Sequence, residues 1–88
     1  MYLHLGRDSV APLKTVVGVF DLDNTTVGRD TKEFLRRSQE NGQIEDICED
    51  IPKAFVLCGE KNKTKVYITQ VSTATLRRRA AGQAEFDA

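Results

Sequence analysis

Tryptophan is missing from this 88-residue chain, and proline, cysteine, methionine and histidine are scarce (two, two, one and one). So few prolines leave almost the whole backbone free to donate hydrogen bonds. One histidine, His4, and two cysteines ten positions apart, Cys48 and Cys58, fall short of four-ligand zinc spacing, so no metal or other cofactor is expected. Both cysteines read as ordinary half-buried thiols of a reducing compartment, with a redox pair as the minor alternative. No apolar run is long enough to span a bilayer. A charged leader followed by an apolar core and a small-residue cleavage site is also missing, which predicts a cytoplasmic protein. Net charge is absent too: thirteen basic and thirteen acidic residues cancel, so no global field draws the chain to nucleic acid or membrane.

The charge that is present is unevenly placed. Arg77, Arg78 and Arg79 form a block near one end, and Glu45, Asp46, Glu49 and Asp50 form an acidic stretch in the middle. With 40% apolar residues the chain suits one small globular domain. Residues 1–79 carry its pattern, and 80–88, a mix of small and polar types, read as a disordered tail.

Alternation over Tyr2 to Leu5, closed by Gly6, predicts a first strand. Thr15 to Phe20, rich in β-branched and aromatic residues, predicts the strongest one. Asp30 with Glu33 three residues later has capping-box spacing, so a helix is expected from Thr31 to about Asn41, with Gly42 as its left-handed stop. Ile44 to Ile47 is a short strand, Ala54 to Cys58 a continuous apolar one, and Lys65 to Gln70 its return across a polar loop, Gly59 to Thr64. Thr73 is placed as the cap of a short final helix carrying Leu76 and the three arginines. Strand, strand, helix, three strands and helix fit a small α+β domain with a mostly antiparallel sheet and one main helix covering a face. Tyr2, Phe20 and Tyr67 are expected in the core, and His4 as a packing residue. So thin a core favours oligomerisation.

Asp21, Asp23 and Thr25 resemble the D-x-D-x-T motif of haloacid-dehalogenase-type phosphatases. There the first Asp attacks phosphorus, the second moves a proton, and Mg²⁺ balances the charge. The chain is too short for a doubly wound phosphatase, and its later carboxylates lack strand–helix alternation. A polar turn ending a strand accounts for the segment instead, and an enzyme using Asp21 and Asp23 stays a remote alternative.

A second resemblance spans residues 1 to about 79. Tyr2-Leu3-His4-Leu5-Gly6, Phe20-Asp21-Leu22-Asp23-Asn24-Thr25-Thr26, Glu33-Phe34-Leu35-Arg36-Arg37, Asp50-Ile51-Pro52-Lys53 and Ser72-x-x-Thr75-Leu76 resemble the RemB-type members of the RemA/RemB family. These are bacterial regulators of extracellular-matrix (biofilm) genes. The resemblance implies a LytTR-like fold, a homo-oligomeric ring, and binding of double-stranded DNA without enzymatic activity. It implies no membrane partner and no small-molecule substrate. RemA-like members carry a basic residue at the start of the second strand, which here falls at or beside Lys14. They also carry an Arg pair before the fourth strand. Here that region, Asp50 to Lys53, holds only Lys53 as a cation.

Phosphate contacts need cations at several points of one surface, and a ring multiplies one or two per subunit. Lys14 and Lys53 are therefore the first DNA-binding candidates, followed by Arg77, Arg78 and Arg79. Consecutive residues on a helix point in different directions, so the last three cannot form one flat contact. Arg36 and Arg37, with Lys32 and Arg29, are assigned to DNA or to a neighbouring subunit's carboxylates such as Glu45 to Asp50. A protein-interaction ring without DNA binding is the runner-up reading.

Overall fold

A β-bulge and a buried threonine hold the two halves of the fold together. The computed structural model describes residues 1–22 and 28–87, with side chains through residue 82. In chain order the elements are β1 (Tyr2–Gly6), β2 (Ser9–Pro12), a 3₁₀ turn (Leu13–Thr15), β3 (Val16–Asp21), α1 (Arg29–Glu40), β4 (Ile44–Asp46), β5 (Ala54–Glu60), β6 (Lys63–Thr69) and α2 (Thr73–Asp87). The α+β class and the predominance of antiparallel pairing are as expected. β1 and β2 form a separate hairpin, and the main sheet has the order β3-β5-β6-β4. Only β4 pairs in parallel, along β6.

Side chains alternate across β5. Ala54, Val56 and Cys58 join Leu3, Leu5, Ala11, Ile47 and Leu76 in a buried cluster between the sheet, the β1–β2 hairpin and α2. Phe55 and Leu57 face α1. Phe55 stacks on Phe20 with centroids 4.9 Å apart and meets Phe34 at 6.2 Å. Ridges of the sheet are thus covered on both faces, but α1 leaves the β3 edge open. Phe20 is 43% exposed there and Val17 67%.

The β1–β2 ladder slips between His4 and Gly6, leaving Leu5 without a partner across the hairpin. The Thr69 hydroxyl donates to the Leu5 carbonyl at 2.6 Å and accepts from the Val71 N–H at 3.1 Å. One fully buried side chain therefore satisfies two backbone groups and joins the hairpin to the end of β6.

Several local expectations need correction. β2 went unread because it is four residues long and ends at Pro12. Tyr2 and Phe20 are exposed rather than core, since both lie where no layer covers them. His4 is exposed as well; its Nε2 lies 2.8 Å from the Arg7 carbonyl. Helix α1 begins two residues earlier than its capping box implied. Gly28 is the cap and makes no side-chain hydrogen bond, while Asp30 sits in the first turn. Glu33 turns toward arginines instead of the backbone. Gly42 does take the left-handed stop, with φ +68°. The β5–β6 connection is a two-residue turn, Lys61 and Asn62, because Glu60 and Lys63 still pair. Ser72, not Thr73, caps α2: its hydroxyl accepts from the Thr75 N–H at 3.2 Å. That helix is not short and continues to Asp87, through the stretch read as a tail. Ala, Gln and Glu over that stretch are all strong helix formers.

Candidate nucleic-acid interface

Strand directions sort the charges to opposite ends of the sheet. β3 runs from Val16 to Asp21 against β5, so Val16 lies beside Cys58 and Asp21 beside Ala54. β6 returns from Lys63 to Thr69, and β4 runs alongside it toward Asp46. One end therefore gathers Lys14, Lys61, Lys63 and Lys65. The other gathers Asp21, Asp46, Glu49 and Asp50, with Glu49 held near the end of β6 by its N–H on the Gln70 side chain at 2.8 Å. A neutral chain thus folds into a polarised domain.

Lys14 and Lys53 are consequently not brought together. Both are exposed, and the β3–β5 register separates them by roughly 20 Å at strand rise. Lys14 sits in the 3₁₀ turn at the cationic end, lining a shallow cleft with Met1, Tyr2, Pro12, Leu13 and Glu60. Lys53 sits at the acidic end, its carbonyl accepting from the Leu22 N–H at 2.8 Å and its own N–H bound to the Thr69 carbonyl at 2.9 Å. The local field around Lys53 opposes an approaching phosphate.

The three arginines of α2 divide in the manner that helical geometry demands. Arg77 and Arg78 are exposed, Arg78 resting 3.3 Å from the Thr75 hydroxyl. Arg79 folds inward and donates to the His4 carbonyl at 3.0 Å, with His4 Nδ1 at 3.4 Å. It ties α2 to β1. Arg36 and Arg37 are occupied within α1. Arg36 pairs with both Glu33 and Glu40, and Arg37 with Glu33 at 3.2 Å. The hydrogen bond from Arg36 holds the Glu33 carboxyl below its usual range, and Glu33 in turn raises Arg36.

A second group of cations was read only as a polar loop. Lys61, Lys63 and Lys65, with Glu60, Thr15, Cys58 and Tyr67, line an open cleft of about 410 Å³ between the β5–β6 hairpin and the β2–β3 connection. The available signal was lysine at every second position from 61 to 65, which a strand places on one face. Lys65 pairs with Glu45 at 3.6 Å and lies 5.1 Å from the Tyr67 ring centre. Burial alone would lower the Lys65 ammonium, but Tyr67 and Glu45 outweigh it and hold it above its ordinary value. Lys14, Lys61 and Lys63 make no ion pair among the described residues.

The phosphatase-like pattern finds no support in this topology. Asp21 ends an edge strand whose neighbour is antiparallel, so among the described residues no parallel strand pairs beside it. Asp23 and Thr25 lie outside the described residues. Among the described residues, no helix is long and apolar enough to cross a membrane.

Comparison with known proteins adds one end-to-end similarity. No family model matches the chain. Extracellular matrix regulatory protein B of Bacillus subtilis (strain 168) is 29% identical over 87 residues, which cover 99% of each chain. That likeness supports the resemblance to the RemA/RemB family. The similarity runs end to end and is not confined to one segment. The relative's name is that of a regulatory protein, and the chain is similar to it over its whole length.

Proposed function

We propose that this protein is a non-enzymatic, cytoplasmic regulator of extracellular-matrix genes that binds double-stranded DNA as a homo-oligomer. The carrying observation is the end-to-end relationship to an extracellular-matrix regulatory protein. The polarised fold adds a physical route. Cations left without carboxylate partners at one end attract the phosphate backbone even though the chain is neutral overall. Lys14 leads this surface, with exposed Arg77 and Arg78 as secondary contacts. Arg79 serves the fold, and Lys53, at the acidic end, contributes least.

Oligomerisation multiplies the cationic end, and the open β3 edge offers a surface for it. Val17 and Phe20 lie exposed there beside Leu57 and Phe34. Apolar burial at this edge suits self-association better than Arg36 and Arg37, whose charges α1 already neutralises. The same exposed edge also favours a second reading, a protein-interaction assembly without DNA.

Gel-shift titration of duplex DNA separates the two, alongside light scattering of the free protein. A regulator binds duplex as an oligomer and weakens steeply between about 50 and 200 mM salt. A stable monomer, or an oligomer that leaves DNA unshifted at the lower salt, overturns the proposal.

A further inference from the structure

We infer that the β5–β6 hairpin is a phosphate-gripping element: Lys61 and Lys63, together with Lys14 across the cleft, hold the backbone of a nucleic-acid strand. The inference rests on the DNA-binding reading above and names which residues carry it.

Four observations converge on the hairpin. First, the cleft has three lysines on its rim and one carboxylate, Glu60. Lys14 lines the adjoining cleft and shares Pro12 and Glu60 with it, so the two hollows form one cationic surface. Second, Lys61 and Lys63 have no ion-pair partner among the described residues, whereas Arg36 and Arg37 on α1 are paired with Glu33 and Glu40. Their charge is available to a ligand.

Third, Lys61 occupies a backbone position that a lysine does not favour. Its φ is +47°, in the left-handed region, at the first position of a two-residue hairpin turn. Glycine or asparagine fits such a position without strain. A lysine there costs the fold and makes no ion pair among the described residues, which is the pattern of a residue kept for what it binds. Fourth, Lys63 and Lys65 lie on one face of β6, about 7 Å apart by strand geometry, so the hairpin presents this charge on one side. Lys65 is paired with Glu45 and lies by the Tyr67 ring, which leaves Lys61 and Lys63 as the unpaired lysines of this cleft. Contacts of this kind position a duplex without reading its bases, so the hairpin supplies affinity rather than sequence choice.

The test compares full-length wild type with Lys61→Asn/Lys63→Gln, Lys63→Arg and Lys53→Gln, using a random-sequence duplex in gel-shift titrations across a salt series. Thermal melts accompany each protein. The hairpin double variant is expected to keep or raise its melting temperature, because asparagine relieves the turn. It is expected to bind at least about ten-fold more weakly at low salt, with a shallower dependence of log K on log salt. Lys63→Arg keeps the charge and binds like wild type. Lys53→Gln removes one cation from the other end and stays within about two-fold of wild type. If wild type binds and the double variant binds equally well, or if Lys53→Gln weakens binding as much, the hairpin assignment is wrong while the regulator reading stands. If wild type fails to shift duplex DNA, the regulator reading falls and the hairpin assignment falls with it.

Discussion

Replacing Thr69 by valine tests whether hydrogen bonding or apolar burial joins the β1–β2 hairpin to the sheet. Thr69 is 1% exposed, and valine has nearly its shape with a methyl in place of the hydroxyl. Transfer of apolar area alone predicts that the change is neutral or stabilising. The geometry predicts the opposite. The bulge removes Leu5 from its own ladder, so the Leu5 carbonyl depends on the Thr69 hydroxyl at 2.6 Å. The Val71 N–H depends on the same oxygen at 3.1 Å. Leaving a buried group unsatisfied costs about 1–3 kcal/mol, and Val71 is only half-buried, so the pair amounts to roughly 2–4 kcal/mol. A chain of this size has a stability of about 4–13 kcal/mol, so the loss is a large share of it. At about 4–8 °C per kcal/mol, the melting temperature should fall by about 8–32 °C. Thr69→Ser keeps the hydroxyl and loses one methyl, and it should fall by about 1 kcal/mol. Circular dichroism melts at one fixed protein concentration read both variants, which removes any mass-action contribution from self-association. The expected order is wild type, then Thr69→Ser, then Thr69→Val. A Thr69→Val variant that melts at or above wild type refutes the argument, because the two backbone groups would then need no side-chain partner.

Arg79→Met should lower stability by about 0.5–1.5 kcal/mol through loss of the His4 tether, whereas Arg77→Gln should leave the melting temperature unchanged; paired thermal melts check both. Cys58 makes stability depend on alkaline pH. Burial raises its thiol above the ordinary value of 9.0, against the opposing Thr15 hydroxyl and Lys65 charge. A raised value in the folded state means stability is full below the unfolded chain's value and declines as pH climbs through the folded one. Melting temperatures from pH 8 to about 10 should therefore fall less steeply for Cys58→Val than for wild type, and identical slopes would show that the thiol contributes nothing.

Local chemistry was legible in the chain wherever neighbours in sequence decide the outcome. The apolar run Ala54 to Cys58, the alternation after Lys65 and the glycine at 42 each specify an element through steric and periodic rules that act over a few residues. The resemblance to the RemA/RemB family was legible for a related reason, since the segments that carry it run the length of the chain. Other features required the fold. Nothing within a few residues of Leu5 indicates that its carbonyl will be met by a threonine 64 positions away. Tyr2 and Phe20 look like core residues by composition, yet the sheet order leaves them at uncovered edges. The cationic surface shows the division most clearly. Balanced charges in the sequence carry no direction, because a sum discards position. Strand polarity and register carried Lys14, Lys61, Lys63 and Lys65 to one end and Asp21, Asp46, Glu49 and Asp50 to the other, so a neutral composition became a domain with two electrically distinct ends.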